Sequence, residues 1–81
     1  MTVPDQIRTI ASDIFGISAD KITTASTPET VETWDSIQHL NLVLALEEKF
    51  GLQLSPEEIE QMKSIGEIIK LVEGKLQAAP S

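Results

Sequence analysis

Apolar positions along the chain recur every three or four residues, which is the spacing of one face of an α-helix. No stretch alternates apolar and polar residues over a length that would indicate a β-strand. The spacing therefore predicts an all-α fold, a four-helix bundle whose third helix is short. The predicted helices cover residues 3–15, about 36–50, about 56–62 and 65 to about 76.

Capping signals support these boundaries. Thr2 precedes the first helix, and Gly16 and Gly51 follow the first and second. The other three helices each begin with a Ser or Asp that has Glu or Gln three residues later, the capping-box pattern. These pairs are Asp35 with Gln38, Ser55 with Glu58, and Ser64 with Glu67.

A long polar connection joins the first two helices over residues 17–34. Connections of this length are uncommon in compact domains. We expect Ile22, Val31 and Trp34 to hold it against the core. The chain is expected to form one domain over residues 1–81, with residues 77–81 as a frayed tail.

The second helix carries two apolar stripes, whereas a surface helix in a small bundle usually has one. At about 100° per residue, the two stripes lie on different sides of the helix. The first contains Leu42, Val43, Leu46 and Phe50, and the second contains Ile37, Leu40 and Leu44.

Glu47 and Glu48 flank the second stripe, and ionised carboxylates resist burial. We therefore interpret the first stripe as core and the second as an exposed patch for partner binding, with an acidic rim. The alternative is a central helix that is buried on both sides.

Composition excludes several chemistries. The 81 residues include 13 acidic and 6 basic side chains, no Cys and one His. A net charge of −7 disfavours nucleic acid and anionic membranes and favours partners with basic surfaces. No disulfide, thiolate zinc site or Cys nucleophile can form, and no segment has the ligand spacing of a calcium-binding EF-hand. His39 is interpreted as a half-buried side chain with a local hydrogen bond.

The chain shows no signal peptide and no span of apolar residues long enough for a bilayer. A cytoplasmic monomer is expected. Without a nucleophile and base that could assemble, it is predicted not to be an enzyme.

Ser36 differs from the other serines at helix starts. Because Asp35 takes the cap position, Ser36 lies one residue inside the helix, and its hydroxyl is not needed for capping. It lies where free backbone N–H groups and the positive end of the helix dipole favour a bound or attached phosphate. From spacing alone, however, Ser36 is more often only a tolerated residue at a helix start.

The segment from Trp34-Asp35-Ser36-Ile37 to Glu47-Glu48-Lys49-Phe50-Gly51 resembles the attachment-site region of acyl carrier proteins. The order and length of the helices match that family over about residues 3–76. The resemblance implies that Ser36 is esterified with 4′-phosphopantetheine, which a phosphopantetheinyl transferase takes from coenzyme A. The thiol of that arm carries acyl groups as thioesters.

The same resemblance implies roles for further residues. Asp35 assists recognition by the transferase. The second helix presents Ile37, Leu40, Leu44, Glu47 and Glu48 to basic patches on acyl-loading and acyl-processing enzymes. Acyl chains are sheltered near Leu42, Leu46, Ile59 and Ile68.

Two departures bear on the pathway. Carriers of fatty acid synthesis usually have further acidic residues early in the second helix, where this chain has Gln38, His39 and Asn41. Peptidyl carriers usually have Gly-Gly shortly before the Ser, where this chain has Thr33 and Trp34. We expect a specialised stand-alone carrier for fatty acid, polyketide or other acyl biosynthesis. The alternative is an unmodified helical interaction module that docks through its second helix.

Overall fold

A computed structural model describes residues 2–78 and shows an all-α fold, with no strand among these residues. The predicted fold class is therefore confirmed. The helices are α1 (Val3–Phe15), α2 (Ser36–Phe50), α3 (Pro56–Gln61) and α4 (Ile65–Ala78).

The helix ends follow the capping signals. Thr2 Oγ1 accepts a hydrogen bond from the Asp5 amide at 3.3 Å. Gly16 and Gly51 end α1 and α2 with φ values of 69° and 64°, the left-handed conformation that glycine adopts without a steric penalty.

Of the capping boxes, the one at Ser55 is complete. Ser55 Oγ accepts from the Glu58 amide, and the Glu58 side chain accepts from the Ser55 amide. At α2 only half of the pattern forms. Asp35 Oδ1 accepts from the Gln38 amide at 2.8 Å, but Gln38 Oε1 accepts from Asn41 Nδ2 and does not reach back to the cap.

The core lies where α1, α2 and α4 meet. Apolar residues of these helices, joined by Met62 after α3, are almost completely excluded from solvent. The largest fully buried side chains are Ile7, Ile22, Leu42, Leu46, Met62, Ile65, Ile68 and Val72.

Two apolar residues near helix ends lie outside the fully buried core. Phe50, expected in the core, is half-buried and packs against the core from its edge. It is the last residue of α2. Leu76, which lies two residues before the end of α4, is exposed.

Residues 17–34 are held as expected, since Ile22, Val31 and Trp34 are all buried. A short 3₁₀ turn at Ala19–Lys21, which the sequence pattern did not indicate, shortens the connection. The carbonyl oxygens of Thr24 and Ser26 accept from the amides of Gly66 and Ile65, each at 3.0 Å. The connection thereby pairs two N-terminal amides of α4 that have no partner within that helix.

At the other end of the chain, α4 includes residues 77 and 78, which the sequence assigned to the tail. Residues 79–81 lie outside the described part of the chain. No helix within the described residues is both long enough and apolar enough to cross a membrane.

Candidate functional site

Ser36 is the first residue of α2 and is exposed. The carboxylate of Asp35, not the Ser36 hydroxyl, caps the helix. Among residues 2–78, the hydroxyl has no hydrogen-bond partner. The hydroxyl is therefore exposed at the start of the helix and not used for capping, as the sequence predicted.

A groove with a volume of about 900 Å³ opens beside Ser36, between the first connection, the start of α2 and α3. We call it the Ser36 groove. Its lining mixes apolar side chains with charged residues. The lining residues are Thr27, Pro28, Glu29, Trp34, Asp35, Ser36, His39, Leu40, Ile59, Glu60, Met62 and Lys63.

His39 connects two walls of this groove. Trp34 Nε1 donates to His39 Nδ1 at 3.0 Å, and His39 Nε2 lies 3.1 Å from the carbonyl oxygen of Ile59 on α3. An indole N–H can only donate and a carbonyl can only accept. The pattern therefore assigns the neutral imidazole with its proton on Nε2, which donates to Ile59.

The aromatic rings continue this connection into the core. Trp34 stacks on Phe15 of α1 with ring centroids 5.0 Å apart, and on His39 with centroids 6.0 Å apart. The expectation that His39 is half-buried with a local hydrogen bond is confirmed. The bond to Ile59, twenty residues away, was not foreseen, because nothing in the sequence pattern shows where the end of α3 lies relative to α2.

The second apolar stripe of α2 is exposed. Ile37 is 72% exposed, Leu40 56% and Leu44 63%. We call these three residues the docking face. The first stripe is buried except for Phe50, so the two-sided interpretation of the helix is confirmed.

The acidic rim of the docking face differs from the expectation. Glu48 is exposed beside it, but Glu47 is half-buried, and its Oε2 accepts from the Leu54 amide at 2.8 Å. Glu47 therefore holds the link between α2 and α3. Of the two expected rim residues, Glu48 is exposed and Glu47 is half-buried.

An ion pair ties α3 to α4. Lys75 Nζ donates to both carboxylate oxygens of Glu58 at 2.8 Å. These hydrogen bonds, followed by the one that Glu58 accepts from the Ser55 amide, lower the pKa of the Glu58 carboxyl below its usual value. Since about a quarter of each side chain is exposed, solvent screens part of this attraction.

The residues expected to shelter an acyl chain are divided between two places. Leu42, Leu46 and Ile68 are 0% exposed in the core, and none of them lines the Ser36 groove. Ile59 is half-buried and does line it. A shared role of these four residues stays a prediction.

The groove offers the hydroxyl of Ser36, which can receive a transferred group. His39, which also lines the groove, has both ring nitrogens engaged and so is not placed to act as a base for Ser36. No group of three or more metal-ligating side chains occurs within the described residues.

Comparisons with known proteins agree with this arrangement. The model of the family described as "Phosphopantetheine attachment site" matches residues 5–72. Acyl carrier proteins of Chlamydia trachomatis (serovar L2) and Chlamydia muridarum are each 29% identical over 73 residues. Those alignments cover 90% of this chain and 95% of each relative.

The solution structure of holo acyl carrier protein from Geobacter metallireducens has the same fold. Its TM-score is 0.82 at 24% identity, over 100% of this chain and 98% of that one. Acyl carrier proteins are carriers with a covalently attached 4′-phosphopantetheine, not enzymes. On the match over residues 5–72, this chain belongs to the phosphopantetheine attachment-site family of carrier proteins.

Proposed function

We propose that this chain is an acyl carrier protein whose phosphopantetheine is attached to Ser36. The observation that carries the proposal is the exposed Ser36 hydroxyl, which Asp35 releases from capping and which opens onto a groove of about 900 Å³. When attached, the group supplies a terminal thiol that holds an acyl group as a thioester. The chain has no Cys of its own that would compete for that acyl group.

The attachment of phosphopantetheine to Ser36 is a phosphoryl transfer. Ser36 Oγ loses its proton and forms a bond to the pantetheine-bearing phosphorus of coenzyme A. The diphosphate bond of coenzyme A breaks, and adenosine 3′,5′-bisphosphate leaves. A phosphopantetheinyl transferase supplies the base and the metal ion. Asp35 helps that enzyme to recognise the site, since its carboxylate lies at the same helix end.

The test is to incubate the purified protein with coenzyme A and a broad-specificity transferase, and to measure its intact mass. We expect the mass of one phosphopantetheine to be added to the parent protein and none to Ser36→Ala. Ser64→Ala is the matched control, because Ser64 also begins a helix but is used as its cap. Normal labelling of Ser36→Ala would refute the assignment.

We further propose that the phosphopantetheinyl transferase and the enzymes which load and process the acyl group bind the docking face through Ile37, Leu40 and Leu44. Three exposed apolar side chains in one row support this, because such patches often mark interaction sites. Glu48 adds a negative charge at the C-terminal end of the docking face, where it attracts a basic patch on the partner.

The labelling experiment tests this surface as well. Leu44→Ala should lower kcat/KM of the transferase without affecting the fold, whereas Glu48→Gln should have an effect that shrinks at high salt. If neither change alters the rate with any partner enzyme, the docking face is misassigned.

The acyl group belongs to fatty acid, polyketide or another specialised biosynthesis. The segment from Ser36 to Leu46 carries no charged side chain, which supports recognition by partner enzymes dedicated to this carrier. Cytoplasmic location and the monomeric state stay predictions. The unmodified interaction module is the second candidate, and it is distinguished by the absence of any added mass.

A further inference from the structure

We propose that Trp34 and His39 form a staple across the first turn of α2, and that this staple positions Asp35 and Ser36 for the phosphopantetheinyl transferase. This inference rests on the proposed function. It gives the two rings a role in the modification of Ser36, although neither belongs to the exposed docking face.

The staple follows from where the helix begins. Because Asp35 is the cap, Trp34 is the residue before the cap and His39 is the fourth residue of the helix. Side chains at these two positions meet across the first turn, and an apolar pair there fixes the direction in which the chain enters the helix. In this chain the two rings stack with centroids 6.0 Å apart, and Trp34 Nε1 also donates to His39 Nδ1 at 3.0 Å. The pair therefore closes the turn that holds Asp35 and Ser36 by both packing and a directional bond.

Within the described residues, few other contacts fix this turn. Asp35, Ser36 and Ile37 are exposed, so core packing does not hold them. The Asp35 carboxylate caps the Gln38 amide, but Gln38 does not return the second bond of a capping box. Helix ends whose amides lack partners fray readily. The staple is therefore the main contact between the attachment turn and the rest of the fold.

Both residues of the staple are anchored. Trp34 is buried and stacks on Phe15 of α1, and its backbone amide donates to the carbonyl oxygen of Val31 at 3.0 Å. On the other side, His39 Nε2 donates to the carbonyl oxygen of Ile59 on α3. The staple thus connects the attachment turn to both α1 and α3.

The staple acts on binding of the transferase and not on the transfer step. The transferase must meet the Asp35 carboxylate and the Ser36 hydroxyl in one arrangement, and a turn that is already ordered spares the complex the cost of ordering it. Where the competent arrangement is only partly populated, the apparent affinity falls by that fraction. Within residues 2–78, the ring nitrogens of Trp34 and His39 bond to each other and to Ile59, not to Ser36. Both are therefore positioning residues.

The first test measures kcat and KM of a phosphopantetheinyl transferase for the parent protein and for Trp34→Phe. Phenylalanine keeps an aromatic ring at this position but has no N–H donor. One lost hydrogen bond shifts the equilibrium between the ordered and the frayed turn by about two- to tenfold. We expect KM for the carrier to rise about two- to fivefold and kcat to stay within about twofold. An unchanged KM would overturn the proposal.

Two substitutions of His39 separate its two hydrogen bonds. In His39→Asn the amide oxygen can take the place of Nδ1 and accept from Trp34, but the side chain is too short to reach Ile59. In His39→Gln the amide nitrogen can take the place of Nε2 and donate to Ile59, but no acceptor faces Trp34. We expect KM to rise in His39→Gln as in Trp34→Phe, and His39→Asn to retain the parent KM. The reverse order, or equal KM values in the two variants, would overturn the staple.

Amide hydrogen exchange at Gln38 gives a readout in the carrier alone. This N–H pairs with the Asp35 carboxylate at the start of the helix, so its exchange rate reports how often the turn opens. The rate should rise about fivefold in Trp34→Phe and in His39→Gln and stay at the parent value in His39→Asn. An exchange rate that is the same in all three variants would contradict the staple.

Val72→Ala controls for a general loss of stability. It removes packing from the core on α4 and leaves both residues of the staple in place. This variant should unfold at a lower temperature than the parent but have the parent KM with the transferase. A rise in KM equal to that of Trp34→Phe in folded Val72→Ala would show that reduced stability alone explains the effect, and the staple would have no positioning role.

The outcomes separate this inference from the proposed function. If the parent protein accepts no phosphopantetheine, or if Ser36→Ala is labelled like the parent, the proposed function itself fails. If the parent is labelled at Ser36 but KM does not follow the bond between Trp34 and His39, only the positioning role of the staple is wrong.

Discussion

Leu44 and Leu46 lie two positions apart in the middle of α2, but Leu46 is 0% exposed and Leu44 is 63% exposed. Replacing each by Ala compares the two faces within one helix, and the change in helix propensity is the same for both. Leu46→Ala removes buried methyl groups and leaves a cavity, which costs about 3 kcal/mol of the free energy of unfolding. Leu44→Ala should change that free energy by less than about 0.5 kcal/mol.

Urea denaturation followed by far-UV circular dichroism measures both values. With an m-value of about 1 kcal/mol/M, loss of 3 kcal/mol moves the midpoint by about 3 M. A Leu46→Ala protein that is already unfolded in buffer agrees with an even larger cost. Equal costs for the two variants, or a loss above about 1.5 kcal/mol for Leu44→Ala, would refute the two-sided assignment of α2, since exposed substitutions rarely cost so much.

Two further changes probe the contacts around α3. Glu47→Ala should lower the free energy of unfolding by about 1.5–3 kcal/mol, because the Leu54 amide loses a charged acceptor. Glu48→Ala, the control, should leave that free energy nearly unchanged. Equal effects of the two substitutions in urea denaturation would contradict this role of Glu47. Since its pKa is lowered, Glu58 contributes stability above its usual pKa of 4.5 and loses it as the pH falls through the lower folded value. The stability difference between the parent and Lys75→Gln should therefore shrink in acid, and a constant difference in thermal melts down to about pH 2.5 would refute the link to this ion pair.

Local signals in the sequence predicted most of the fold. The periodic spacing located all four helices, and the caps at Thr2, Asp35 and Ser55 set the starts of the first three. These features depend on residues within one turn of each other, so the sequence contains them directly. The two faces of α2 followed from the same spacing together with the position of the carboxylates.

Contacts between residues that are distant in the sequence could not be predicted in the same way. The role of Glu47 depends on where the backbone of Leu54 lies after the turn at Gly51, and the His39 bond depends on where Ile59 lies. Neither position follows from helical spacing. The Ser36 groove was missed for the same reason, although Trp34, two residues before the attachment residue, was a signal that an aromatic wall lies beside it.

Two lines of reasoning identified Ser36 as the candidate attachment site. Helix geometry showed that Asp35 frees the hydroxyl of Ser36, and the resemblance to acyl carrier proteins indicated what that hydroxyl receives. The match to the phosphopantetheine attachment-site family confirmed the second point at the level of the family. The acyl-chain residues inferred from the resemblance lie in two places, because Leu42, Leu46 and Ile68 are buried in the core and Ile59 lines the Ser36 groove.

The most direct test of the central claim is the intact mass and fragmentation of the protein isolated from the cells that make it. We expect the mass of the polypeptide plus one phosphopantetheine, with or without an acyl group, and fragments that place the modification on Ser36. An unmodified chain in cells with an active transferase, or a phosphopantetheine on another serine, would contradict it.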